Sequence, residues 1–147
     1  MEIKLRSIEH DGLVPDLPRR ASEGSAGVDL QALICAPLTL EPQQLYRIPT
    51  GIAMELPQGY VGLVYARSGL GVKHGIALAN GVGVIDSDYR GEIQVGLCNL
   101  SDTPYTISPM DRIAQLVIAP VPAVSYVWAD ALSDTERGAG GFGSSGR

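Results

Sequence analysis

Apolar and polar residues alternate with a period of two along most of this chain. Ile3 and Leu5 sit between Glu2, Lys4 and Arg6, and the same spacing recurs in Ile52/Met54/Leu56, Val61/Leu63/Tyr65, Ile93/Val95/Leu97 and Val124/Tyr126/Trp128. A strand sends successive side chains to opposite faces, so each run predicts a strand with one buried face. Eighteen glycines and ten prolines break the chain almost evenly, and between successive breaks only residues 123–137 exceed ten positions. Helices of ordinary length do not fit such punctuation. Many short strands joined by frequent turns predict an all-β fold of the sandwich, jelly-roll or barrel type.

After Trp128 the chain turns polar and ends in a glycine-rich run from Arg137. This shift divides the chain into a β body over residues 1–128, a connector over 129–136 and a flexible tail over 137–147. A length of 147 residues suits one domain, and at that size about 70% of the unfolded surface can be buried without a disulfide or structural metal.

Eleven basic against sixteen acidic residues leave a net charge of −5. A general nucleic-acid or membrane-surface binder would carry the opposite sign, so neither partner is expected. A polyanionic small molecule stays possible if cations are gathered locally or a metal screens the charge. The start, MEIKLRSIEH, has no apolar secretory core and no long apolar run follows, which predicts a cytoplasmic protein. Cys35 and Cys98 lie far apart in apolar surroundings and read as reduced, mostly buried thiols. His10 and His74 have no Cys or carboxylate at ligand spacing, which argues against zinc.

Five segments carry candidate chemistry. In the tail, Gly138, Gly140 and Gly143 match the letters of a dinucleotide fingerprint, but no strand precedes them and no helix can follow; Ser144 stands where a phosphate-binding P-loop needs lysine. A plain glycine tail would satisfy the composition. However, the only phenylalanine is Phe142, flanked by glycines and by Arg137, Ser144, Ser145 and Arg147. A ring can stack on a base, and arginines and glycine amides can grip phosphates.

The second segment runs from Gly83 to Ile93, with residues 87–91 at the tip of a hairpin. Asp86 and Asp88 there serve equally as turn residues, or Asp86 acts as a general base on water with Tyr89 as a packing surface. A calcium loop fails because Arg90 and Leu97 occupy ligand positions. Third, Arg67, Ser68 and Gly69 read as a turn after an apolar strand and offer a guanidinium, a hydroxyl and amides in a small volume. Fourth, Arg112 and Gln115 interrupt the otherwise apolar run after Asp111. Fifth, Ser25 to Leu30 reads as a turn entering a strand that bears Asp29.

In their order and spacing, AGVDL, ARSGL, NGVGVIDSDYRGEI, DRIAQLV and RGAGGFGSSG resemble the five motifs of the trimeric deoxyuridine triphosphatase (dUTPase) family. The third and fifth are long and specific, and together the five span nearly the whole chain. The resemblance implies a jelly-roll-like (β-clip) subunit in a homotrimer, with active sites at subunit interfaces and each tail closing over a neighbour's pocket. It implies hydrolysis of dUTP to dUMP and pyrophosphate with Mg²⁺, which keeps uracil out of DNA and supplies dUMP for dTMP synthesis.

By the same resemblance Asp86 deprotonates the water that attacks the α-phosphorus, and Gln115 assists. Tyr89 packs under the deoxyribose and leaves no room for a 2′-hydroxyl. Asn80, with the backbone of Val84, Ile85, Asp86 and Gln94, reads the uracil edge. Arg67, Ser68 and Gly69 hold the phosphates, while Phe142 stacks on uracil and Arg137, Gly143, Ser144 and Ser145 enclose the outer phosphates. Mg²⁺ is held mainly through substrate phosphates and water, with Asp29 in support through water. Departures from the family pattern are Ala66, Gly71, Met110, Ser145 and the extra Arg147; none removes a proposed catalytic group.

Two alternatives share this fold. A dCTP deaminase needs a glutamate base after the hairpin, where residues 93–97 contain none. A non-catalytic nucleotide sensor would be expected to lack Asp86 or the tail, and both are present.

Overall fold

A computed structural model describes residues 1–141. Its strands are β1 (Lys4–Ser7), β2 (Gly27–Gln31), β3 (Leu38–Leu40), β4 (Leu45–Glu55), β5 (Tyr60–Ala66), β6 (Ile76–Leu78), β7 (Gly83–Ile85), β8 (Glu92–Asn99), β9 (Tyr105–Ile107) and β10 (Arg112–Pro120), with one short helix, α1 (Ser68–His74). They form two four-stranded sheets, in the orders β1-β4-β8-β6 and β2-β10-β5-β7, and a β3-β9 ribbon. Every pairing between these strands is antiparallel. The all-β, jelly-roll-like expectation is met.

The period-two pattern sets which face packs. In β8, Ile93, Val95 and Leu97 are buried while Gln94 is exposed. These side chains meet Leu30, Ile113 and Leu116 of the other sheet in one apolar core. Removing this apolar surface from water is the main force holding the sheets together.

Two irregularities interrupt the ladders. The β10–β2 register slips between Arg112 and Ala114, so Ile113 and Ala114 are both buried and Arg112 is turned out beside β2. A bulge of this kind re-aims a side chain. In β4 the register against β8 slips between Pro49 and Ala53. Within that slip Gly51 has φ +69°, and a Cβ there would strike Leu33, approach the Ile8 carbonyl at 2.8 Å and Pro15 at 3.0 Å. Only glycine suits that conformation in that space.

Three features differ from the sequence reading. The ARSGL segment, read as a turn, opens the seven-residue α1, which ends at Gly75 in the left-handed region (φ 68°). The strand expected around Val124, Tyr126 and Trp128 does not form: β10 ends at Pro120, and Trp128 is fully exposed. Pro120 and Pro122 lack the N–H that would extend the ladder. Cys35 is exposed rather than buried, because the chain bends at Cys35 and Ala36 between β2 and β3; Cys98 is half-buried. No helix among the described residues is long and apolar enough to cross a membrane.

Candidate active site

The candidate residues gather in two places. The first is built by β2, β10 and the end of β5. Gln115 lies opposite Asp29 on one side and Tyr65 on the other, with Ala66 opposite Ala114. This register brings Asp29, Gln115 and the residue after β5, Arg67, together. Arg67 Nε donates to Asp29 Oδ1 at 2.8 Å, and Arg112 NH1 donates to Asp29 Oδ2 at 3.2 Å. Arg67 NH1 also donates to the Arg112 carbonyl at 3.1 Å.

One carboxylate thus orients two guanidinium groups, leaving a local excess of positive charge. Gln115 Nε2 donates to the Ala66 carbonyl at 2.9 Å, which fixes its amide with the oxygen on the other side. Ser68 and Gly69 follow Arg67 at the start of α1, both exposed.

Behind this cluster Tyr105 shares a small cavity of about 160 Å³ with Arg67, Asp111 and Arg112. Its ring packs on His74 with centroids 4.8 Å apart. Burial pushes the Tyr105 hydroxyl above its ordinary range and the Asp111 charge adds to this, while Arg67 pulls the other way. On the open side, Asp29 and Arg112 border a second cavity of about 470 Å³ with Arg19 and Arg20.

The second place is the hairpin of β7 and β8. Val84, Ile85, Asp86, Tyr89 and Gln94 line a cavity of about 450 Å³, together with Arg47 of β4 and Glu92. Val84 is 61% exposed and Tyr89 45% exposed, so the hairpin presents apolar surface beside the open Asp86 carboxylate. The Asn80 side-chain amide lies at the base of the hairpin, 3.8 Å from where a Cβ on Gly83 would sit.

Tyr89 is held closely. Its hydroxyl donates to the Glu92 carbonyl at 2.9 Å, and its ring lies against Gly91, where a Cβ would strike the hydroxyl and approach Cζ at 2.6 Å. Burial pushes the Glu92 carboxyl up, but hydrogen bonds from Gln94, the Gly51 amide and His10 outweigh it and hold the carboxyl below the ordinary range.

The cavity of the hairpin shares no lining residue with the two cavities of the arginine cluster. Arg137 is exposed in a short turn, where the Gly140 amide bonds its carbonyl at 3.0 Å. Phe142, Gly143, Ser144 and Ser145 lie outside the described residues. Three participants were not assigned from sequence. Arg112 stood out as a polar residue in an apolar run, yet its role needs the bulge at Ile113. Glu92 and Arg47 had no such signal, because their place in the cavity depends on strand pairing.

A metal centre built wholly from protein side chains has no candidate among the described residues, where no three His, Cys, Asp or Glu side chains are placed to hold an ion together. A hard cation such as Mg²⁺ commonly keeps several waters and binds through one or two carboxylates plus substrate phosphates. Asp29 and Asp86 supply carboxylates of that kind, so the donor set fits a phosphate-borne ion.

The family model described as dUTPase matches residues 15–146. A protein of Desulfitobacterium hafniense named deoxyuridine 5′-triphosphate nucleotidohydrolase is 52% identical over 147 residues, covering 99% of this chain and 97% of its own. One of the same name from Ralstonia nicotianae is 53% identical over 132 residues, 89% of each chain. Among solved structures, the Staphylococcus bacteriophage 80alpha dUTPase with dUPNHPP superposes with a TM-score of 0.88 at 28% identity, covering 99% of both chains. With its two sheets, its ordered motifs and these matches along nearly its full length, the chain belongs to the dUTPase family.

Proposed function

We propose that this protein hydrolyses dUTP to dUMP and pyrophosphate by attack of water on the α-phosphorus, with Mg²⁺ bound through the phosphates. The observation that carries the reading is that one chain bears both an arginine cluster organised by Asp29 and, in a separate open cavity, Asp86 with Tyr89. The first suits a triphosphate and the second a nucleoside next to a base. Family membership and relatives named for this activity support it further.

In this account the deoxyribose packs on Tyr89, and the uracil edge meets Asn80 and the backbone of Val84, Ile85, Asp86 and Gln94. The Asp86 carboxylate orients the water and takes its proton. The Gln115 oxygen, left open by the bond from Nε2 to Ala66, helps hold that water. Arg67, Ser68 and Gly69 bind the phosphates, and Mg²⁺, when bound, would neutralise phosphate charge and orient the leaving group, with Asp29 in its water shell. Catalysis of phosphoryl transfer is mostly positioning and electrostatic stabilisation, which these groups provide. Phe142 stacks on the base while Arg137, Gly143, Ser144 and Ser145 close the outer phosphates.

The two clusters line different cavities of one chain. This favours an active site assembled between subunits of a homotrimer, each body donating one half to a neighbour and residues 137–147 closing the result. Residues 1–128 form the body in this reading and 129–136 the connector. A dCTP deaminase is disfavoured on structural chemistry as well. The one glutamate lining the hairpin cavity, Glu92, has its carboxylate bonded by His10, Gly51 and Gln94. The net charge of −5 argues against nucleic acid as a partner, and a cytoplasmic location completes the proposal. Incubation with dUTP, dCTP and dTTP in the presence of Mg²⁺, with all products resolved, tests the reading; turnover of dUTP alone to dUMP and pyrophosphate is the expected result.

A further inference from the structure

Glu92 joins three separate parts of the fold to the wall of the hairpin cavity. Its Oε1 accepts from His10 Nε2 at 2.8 Å and from the Gly51 amide at 2.7 Å. Its Oε2 accepts from Gln94 Nε2 at 2.9 Å, and its own carbonyl takes the Tyr89 hydroxyl at 2.9 Å. The Gly51 amide is available because the bulge in β4 takes it out of the ladder. His10 comes from the turn after β1, where its backbone pairs with Leu13. It belongs to none of the five motifs and lies 82 residues from Glu92.

We propose that His10 is a positioning residue for substrate selectivity: through Glu92 it fixes the Tyr89 ring and the Gln94 amide that shape the sugar and base pocket. The inference rests on the proposed binding of dUTP in that cavity. Selection against a 2′-hydroxyl or a 5-methyl group depends on a wall that does not yield, because one small group in a compliant pocket is weakly discriminated. Tyr89 is restrained at its hydroxyl by the Glu92 backbone and on one side by Gly91. The Glu92 backbone is in turn restrained through its carboxylate. His10 supplies the one donor to that carboxylate from the β1 side of the molecule, and hydrogen bonds to a charged group are the stronger kind.

The test compares wild type, His10→Ala, His10→Gln and Glu92→Gln for kcat/KM on dUTP, UTP and dTTP, beside thermal melting. The dUTP-over-UTP ratio is expected to fall about tenfold in His10→Ala, the factor that corresponds to about 1.4 kcal/mol. It should recover in His10→Gln, whose amide can donate to Glu92, and fall again in Glu92→Gln, where an amide nitrogen must face one of the donors. If the ratios stay at the wild-type value while melting temperature or overall activity falls, the pair is structural and the proposal is overturned. Should wild type fail to hydrolyse dUTP, the proposed reaction is wrong. Calorimetric affinities for dUMP against UMP then decide the clamp on their own: a lower ratio in His10→Ala supports it and an unchanged ratio overturns it.

Discussion

Arg67 and Asp29 meet Nε to Oδ1 at 2.8 Å although 38 residues separate them. Asp29 takes Arg112 on its other oxygen, so one carboxylate sets the direction of two guanidinium groups. Arginine binds phosphate oxygens best when its fork is already oriented. Asp29→Ala should therefore lower kcat/KM for dUTP by about tenfold, the effect of about 1.4 kcal/mol, chiefly through KM. The pair is partly exposed, so melting temperature should change little. Steady-state kinetics beside a melting curve checks both, and an unchanged KM would show that the arginines hold their directions unaided.

Asp86→Asn removes the proposed base while preserving size and the turn. Turnover should fall by about 10²–10⁴-fold, the usual contribution of general base catalysis. Affinity for a non-hydrolysable dUTP analogue, measured by calorimetry, should be retained. Near-normal turnover would assign the proton to another group.

Phe142→Ala tests the aromatic reading of the tail. Loss of one stacked ring should cost about 1–3 kcal/mol of substrate binding. The melting temperature should match wild type, since the proposal gives Phe142 no part in the β body. A large fall in melting temperature would put the ring in the fold instead.

The body and the phosphate cluster were legible in the sequence to different depths. Alternation in β8 assigned Ile93, Val95 and Leu97 to the core directly, because the period of a strand is short enough to read from neighbours. Motif order brought Asp29, Arg67 and Gln115 together on paper, and the registers of β10 with β2 and β5 do the same in space. Other features depend on partners distant in sequence. The helix α1 spans only seven residues, two of them glycine, and carries no periodic signal of its own. Alternation at Val124, Tyr126 and Trp128 looked like a strand, but a strand needs a neighbour and these side chains stand exposed within one chain. His10 appeared to lack a carboxylate partner for the same reason: Glu92 reaches it only after β1, β4 and β8 assemble.

Glu92 also predicts an acid-sensitive element. Its carboxyl is held below the ordinary range in the folded chain, so the folded state favours the charged form and gains stability from it at neutral pH. That contribution begins to be lost as pH falls through the ordinary carboxylate range and is gone below the lowered value. Melting temperature followed against pH should drop on the acid side more steeply in wild type than in Glu92→Gln. Parallel acid limbs would remove Glu92 from the account.

The central claim is attack of water on the α-phosphorus of dUTP. It is tested most directly by turnover of dUTP with Mg²⁺ in ¹⁸O-enriched water, followed by mass analysis of both products. The account predicts dUMP carrying the label and unlabelled pyrophosphate. Label in the pyrophosphate, or no dUMP at all, would contradict it.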